Sequence, residues 1–145
     1  MVTVRQLLDD KGCQVWSVQS DTTVFEAVRL MAEKDIGALL VLAGSSPVGV
    51  LSERDYARKV ILLGRASRDT VVGEIMSHGV VHVGPRQTVH ECMAIMTDKK
   101  IRHLPVIENG QVLGMISIGD LVKSIIAEQE FVIGQMTNYI SGSLA

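Results

Sequence analysis

Aromatic residues are scarce in this sequence: Trp16, Phe25, Tyr56, Phe131 and Tyr139 make up 3% of 145 residues. A platform that stacks nucleic-acid bases needs several such rings on one face, so their scarcity argues against one. A surplus of one charge is missing too. Lys and Arg number 14 against 16 Asp and Glu, a net charge of −2, which leaves no basic footprint for a phosphate backbone. A nucleic acid polymer is therefore not expected as a partner. Cysteine is limited to Cys13 and Cys92, with no Cys-x-x-Cys spacing. That excludes a disulfide framework and a zinc ribbon, and fits a reducing cytoplasm. His78, His82 and His90 do not fall at metal-ligand spacing, so no metal site is expected. The longest apolar stretch, Ile36 to Leu42 and on to Gly44, is far below the ~20 residues that span a bilayer. Met1 to Gln6 lacks the apolar core of a signal peptide. No Ser-His-Asp order, P-loop lysine motif or Gly-x-Gly-x-x-Gly occurs, so no catalytic residue is assigned. What remains is a chain with 47% apolar residues and an aliphatic core, expected to be cytoplasmic and without a membrane partner.

The informative feature is an internal repeat. Residues 15–61 lie over residues 80–126 at a shift of 65 with no gap, and fourteen positions are identical. Among them are Thr23/Thr88, Glu26/Glu91, Met31/Met96, Gly49/Gly114, Ser52/Ser117 and Asp55/Asp120. The lead-in Val4-Arg5-Gln6-Leu7-Leu8 echoes Val72-Gly73-Glu74-Ile75-Met76 at a shift of 68, which leaves three extra residues around Asp10-Lys11-Gly12 in the first copy. The chain is two copies of one unit.

Each copy reads β-α-β-β-α. Val15–Val18 and Val80–Val83 are expected as short strands. Thr23 with Glu26, and Thr88 with Glu91, fit capping boxes that start a helix. Val24, Ala27, Val28 and Met31, like Val89, Cys92, Met93 and Met96, form one buried helical stripe. Ala38–Leu42 and Leu104–Ile107 read as buried strands, followed by turns at Gly44–Pro47 and at Asn109-Gly110. A closing strand leads into a helix that starts at Ser52 or Ser117. A further helix, about 127–140, carries Phe131, Val132, Met136, Tyr139 and Ile140 outside the repeat. The expected class is α+β of α/β type: repeats at 3–62 and 72–127 packed with pseudo-two-fold symmetry, a linker at 63–71, and a C-terminal helix at 128–141 as a dimer contact.

Candidate chemistry lies in the repeated Gly-x-x-Ser-x-x-Asp, Gly49 to Asp55 and Gly114 to Asp120, where a strand turns into a helix. Ser at the N-cap with Asp three residues on is a capping box worth ~1 kcal/mol. The same carboxylate beside open helix-start amides also suits ribose hydroxyls and phosphate. With Val72-x-x-Ile75-Met76, Thr23-Val24-x-Glu26-Ala27 and Lys100-Ile101-Arg102-His103-Leu104-Pro105-Val106, these motifs make the chain resemble a tandem pair of cystathionine-β-synthase-type (CBS) domains, a Bateman module, over about residues 3–127.

That resemblance implies adenosine ligands (AMP, ADP, ATP, S-adenosylmethionine or NAD(H)) in clefts between the copies, with no catalytic cofactor. Carried over, Asp120 would take the ribose hydroxyls, with Ser117, Arg102 and His103 on phosphate and adenine against Trp16 and Ile36-Gly37-Ala38. The mirror cleft would use Ser52, Asp55, the strand at Val80-Val81 and the backbone near Ile101-Arg102. Gly37-Ala38 stands opposite Arg102-His103, so the basic charge is one-sided, with Arg54 as a partial replacement, and the two sites should differ. The expected function is a non-enzymatic sensor, homodimeric, that signals to an effector protein. A purely structural dimerisation module and, behind it, a nucleotide-acting enzyme are the alternatives.

Overall fold

The computed structural model describes residues 1–142. Its elements run α1 (Val4–Lys11), β1 (Ser17–Gln19), α2 (Val24–Lys34), β2 (Ala38–Ala43), β3 (Ser46–Ser52) and α3 (Glu53–Tyr56), with a π-helical turn at Ala57–Ile61. They continue with α4 (Val72–Ile75), β4 (Ser77–His78), α5 (Val89–Lys99), β5 (His103–Glu108), β6 (Gln111–Ser117) and α6 (Ile118–Gly142). Two compact units result: a continuous one, Gln14–Val81, and a split one that joins Met1–Cys13 to the chain from His82 onward.

The continuous unit holds a sheet in the order β1-β2-β3-β4, with β1 parallel to β2 and the other pairs antiparallel. Its core is Val24, Ala27 and Met31 of α2, Leu39 and Val41 of β2, Leu51, Val60, and Val72, Ile75 and Met76 of the α4 segment. In the split unit the β5–β6 hairpin carries Leu104, Val106 and Ile116, over which pack Val89, Cys92 and Met96 of α5 and Val4, Leu7 and Leu8 of α1. Burial, and then Glu91, push the Cys92 thiol up to about 11, so it behaves as core filling. Both hairpins shift register at the same place in the repeat, Val41/Leu42 and Val106/Ile107. Asn109 and Gly110, at φ 53 and 77, supply the positive φ of the tight turn that this dipeptide favours.

The lead-in segments are exchanged between the copies. Val4 N–H donates to the Gln87 carbonyl at 2.8 Å and Val89 N–H to the Val2 carbonyl at 2.9 Å, so the segment that opens copy one docks beside the helix start of copy two. The counterpart bonds join copy two's lead-in to copy one: Val72 N–H to the Thr22 carbonyl and Val24 N–H to the Thr70 carbonyl, both 2.8 Å. Each unit thus completes its core with three apolar side chains from the other copy's lead-in.

Three local readings differ from expectation. Val80–His82 lie outside any strand, and only Val83 bridges to Val106 in parallel, because Gly79 at φ 75 turns the chain just before. At α2 and α5 the threonine half of the capping box forms, Thr23 and Thr88 accepting from the Glu26 and Glu91 amides, while the Glu91 carboxylate bonds the Thr88 hydroxyl instead of the cap amide. The segment at 127–140 does not start a new helix but continues α6. In copy one the corresponding helix ends at Gly64, φ 67; its counterpart in copy two is Gln129, amid the good helix formers Ala127, Glu128 and Glu130.

The motif glycines have a packing cause. A Cβ on Gly49 would lie 2.6 Å from the Ser77 carbonyl oxygen and 2.8 Å from the Met76 sulfur, and one on Gly114 would lie 2.7 Å from Leu8 Cδ2. In both units the lead-in segment sits where a side chain would be. The obstacle at Gly49 includes backbone, whereas at Gly114 it is the tip of one leucine. Gly49→Ala is therefore expected to cost about 2–3 kcal/mol and Gly114→Ala about 1 kcal/mol or less, within the usual range for overpacking. Urea denaturation of the two variants checks the order.

Candidate functional site

Each hairpin passes into its next helix through the Ser-x-x-Asp turn, and the two turns share one frame. Ser52 N–H donates to Asp55 Oδ2 at 3.0 Å and Asp55 N–H to Ser52 Oγ at 3.2 Å. Ser117 N–H donates to Asp120 Oδ2 at 2.8 Å and Asp120 N–H to Ser117 Oγ at 3.2 Å. Both are complete capping boxes, which satisfy amides that the helix start leaves without carbonyl partners. Directly after each serine, Glu53 N–H donates to the Gly37 carbonyl at 3.0 Å, and Ile118 N–H to the Arg102 carbonyl at 2.8 Å. Across the hairpins Ser52 faces Ala38 and Ser117 faces His103.

The carboxylates then part ways. Asp55 is 8% exposed, and both its oxygens are engaged within the protein. Oδ2 also accepts from the Ser52 hydroxyl at 3.1 Å, while Oδ1 takes Lys59 Nζ at 3.1 Å and the Ser77 hydroxyl at 3.5 Å. Lys59, one turn along the same helical segment, is held in turn by the Ile75 carbonyl at 3.0 Å. The Asp120 side chain is 25% exposed. Among the described residues its hydrogen bonds and its ion pair fall on Oδ2, which meets Lys11 Nζ at 2.6 Å, so Oδ1 keeps accepting capacity. Lys11, at the end of α1, also donates to the Met115 carbonyl.

Charge at this second turn is closely balanced. Burial pushes the Asp120 carboxyl up, but hydrogen bonds from Lys11 and Ser117 and the charge of Lys11 outweigh it and hold the carboxyl below its usual range. His103 moves down: burial is the main cause, Lys11 and Arg102 push the same way, and Asp120 opposes them. Its imidazole is therefore neutral near pH 7.

The expected residues divide between the units. Arg102, His103, Ser117 and Asp120 come together in the split unit, with Arg102 exposed at the mouth of β5. Ser52, Arg54, Asp55, Trp16, Ile36, Gly37, Ala38 and Val81 belong to the continuous unit. There Ala38 is buried, Trp16 is half-buried with Lys34 Nζ 4.3 Å from its ring centre, Arg54 sits half-buried in the first turn of α3, and Val81 is exposed outside any strand. The two lysines were not foreseen. Lys59 carried a signal, four residues after Asp55 on a helix. Lys11 lies within the three extra residues that shift the lead-in echo from 65 to 68.

His103 is expected to titrate below the ordinary histidine value near 6.5, by NMR of its ring. Lys11→Gln raises that pKa by removing a repelling cation, and Asp120→Asn lowers it. Because the unfolded chain takes up this proton first, the His103 contribution to stability is complete above pH ~6.5 and declines as pH falls toward the folded pKa.

Comparison with known proteins agrees with this architecture. The CBS domain family matches twice, over residues 2–61 and 72–127. The mitochondrial CBS domain-containing protein CBSX3 of Arabidopsis thaliana is 38% identical over 136 residues, 90% of this chain and 66% of that protein. The chain thus spans about two thirds of that relative, and 23% of a second one from the same plant that is 35% identical. A solved protein with CBS domains from Burkholderia ambifaria, assigned to signal transduction, superposes with a TM-score of 0.85 at 51% identity, covering 88% of this chain and 96% of its own. A hexameric CBS-CP12 protein from bloom-forming cyanobacteria superposes with a TM-score of 0.76 at 29% identity, over 83% and 66% of the two chains. No helix among the described residues is long and apolar enough to cross a membrane. Two family matches, the two β-α-β-β-α copies and the paired Ser-x-x-Asp turns lead to one assignment: the chain belongs to the CBS-domain family, as a tandem pair of its regulatory domains.

Proposed function

We propose that this chain is a non-catalytic sensor that binds an adenine nucleotide, of the AMP, ADP, ATP or NAD(H) type, at the Ser117–Asp120 turn and signals to a partner protein. The carrying observation is the contrast between the two aspartates. Asp120 is partly exposed, keeps an accepting oxygen and has Lys11, Arg102 and His103 on neighbouring elements. Ribose hydroxyls suit such a carboxylate, and the basic groups suit phosphate. Ser52, Arg54 and Asp55 form the weaker second site, since a ligand there must first displace Lys59 and Ser77 from a buried carboxylate. Signalling then follows from differential affinity: a ligand shifts the chain toward whichever arrangement binds it better. Two cysteines outside any disulfide, Cys13 and Cys92, fit a reducing compartment such as the cytoplasm.

The same reading takes the active species as a homodimer through α6. Ile126, Ile133 and Ile140 recur every seven residues, and Val132, Met136 and Tyr139 flank them, each at least half exposed. A seven-residue apolar repeat suits packing against another helix. Beyond Lys123 the described part of α6 has only Glu128 and Glu130 as charges, which disfavours an anionic membrane surface as the occupant. Ile133→Asp is expected to convert the dimer to monomer in light scattering and to remove the dependence of the melting temperature on protein concentration; an unchanged mass removes α6 as the interface.

Thermal unfolding tests the ligand. AMP, ATP or NAD at 100 times its dissociation constant is expected to stabilise the protein by about 2.7 kcal/mol. Asp120→Ala abolishes that shift, whereas Asp55→Ala lowers the starting stability and keeps most of it. If no adenine ligand, S-adenosylmethionine included, moves the transition, the sensor reading fails. A purely structural module remains, in which Asp120→Ala costs only the ~1 kcal/mol of a lost cap.

A further inference from the structure

We propose that Lys11 makes the Ser117–Asp120 site selective for phosphorylated ligands, by exchanging Asp120 for a ligand phosphate when ribose hydroxyls take the carboxylate. The inference rests on the reading above that an adenosine ligand occupies this turn. In the structure Lys11 Nζ lies 2.6 Å from Asp120 Oδ2, the oxygen that also caps Ser117. A hydroxyl that bonds this oxygen competes with the ammonium directly.

Lys11 is built to move its head while its backbone stays. It is the last residue of α1, whose Val4, Leu7 and Leu8 are anchored in the core, and it precedes Gly12 at φ 102. Its flexible four-carbon stem carries a compact charge with three donors, one of which meets the Met115 carbonyl. Once displaced from Asp120, the ammonium is left near His103, on which the charge of Arg102 also acts. A nucleoside offers it no anion, whereas a nucleotide brings a phosphate to replace the carboxylate.

The other unit shows what a fixed counter-charge looks like. There Lys59 comes from the same helical segment as Asp55 and is pinned by the Ile75 carbonyl. Its counterpart in copy two is Ser124, and Lys11 lies in the extra residues that the lead-in of copy two lacks. Copy two therefore takes its counter-charge from a distant stretch of chain, more than a hundred residues away in sequence. That placement leaves the lysine on the rim of the turn, with its side chain 36% exposed.

Calorimetric titration of the full chain with AMP, ATP and adenosine tests this, using wild type, Lys11→Gln and Lys11→Arg. Wild type is expected to bind the better nucleotide at least about tenfold more tightly than adenosine, the scale of one hydrogen bond to a charged group. Lys11→Gln removes most of that ratio, weakening the nucleotide and leaving adenosine equal or tighter, and Lys11→Arg restores it. An unchanged ratio in Lys11→Gln, or equal weakening of nucleotide and nucleoside, overturns the proposal while leaving the adenine site in place. Wild type that binds none of the three, nor NAD or S-adenosylmethionine, overturns both.

Discussion

Two short loops of hydrogen bonds, Ser to Asp and back again, govern the layout of this molecule. Each capping box fixes the point at which a hairpin becomes a helix, and each sets a carboxylate where the protein covers most of it. A carboxylate there is costly to leave unpaired, so each copy must bring a cation to it. The first copy finds Lys59 one turn along the same helical segment; the second finds Lys11, in the exchanged lead-in. Once the lysine comes from α1, the docking of α1 on the β5–β6 hairpin and the chemistry of the turn are a single problem. Gly114 belongs to it as well, because the space beside it is occupied by Leu8, a neighbour of Lys11 on the same helix.

Duplication thus supplied two equivalent frames that have drifted apart in electrostatics. The backbone bonds match almost atom for atom: the Gly37 and Arg102 carbonyls, the register shifts, the threonine caps. The side chains do not. Asp55 has become an internal strut with both oxygens used, whereas Asp120 pairs with Lys11 through one oxygen and keeps the other able to accept.

Much of this was legible in the sequence because it depends on local patterning. The repeat at a shift of 65, the stripes of α2 and α5, the Asn109-Gly110 turn and the Ser-x-x-Asp caps are all short-range features whose residues specify them. The family resemblance followed from the same motifs. What escaped depends on contacts distant in sequence. The echo at a shift of 68 recorded that the lead-in belonged to the repeat, but not which copy's core it would complete. The cause of the motif glycines was hidden too, since it lies in the close approach of Ser77 and Leu8. Val80–Val83 were expected as a short strand, yet Gly79 turns the chain and only Val83 pairs. Continuous α6 was hidden because the end of the repeat was read as the end of a helix, although Gln129 is no breaker where Gly64 is.

The crossed lead-ins bear on how such a chain can be divided. Cut within 63–71, it gives one fragment with α1 but without the hairpin that α1 covers, and another with α4 but without its sheet. Neither fragment contains a whole core, yet the pair together contains both. The two copies, although each looks like a domain in sequence, are heritable only as a couple: each half is the other's missing piece, so duplication and fusion here created a single folding dependency.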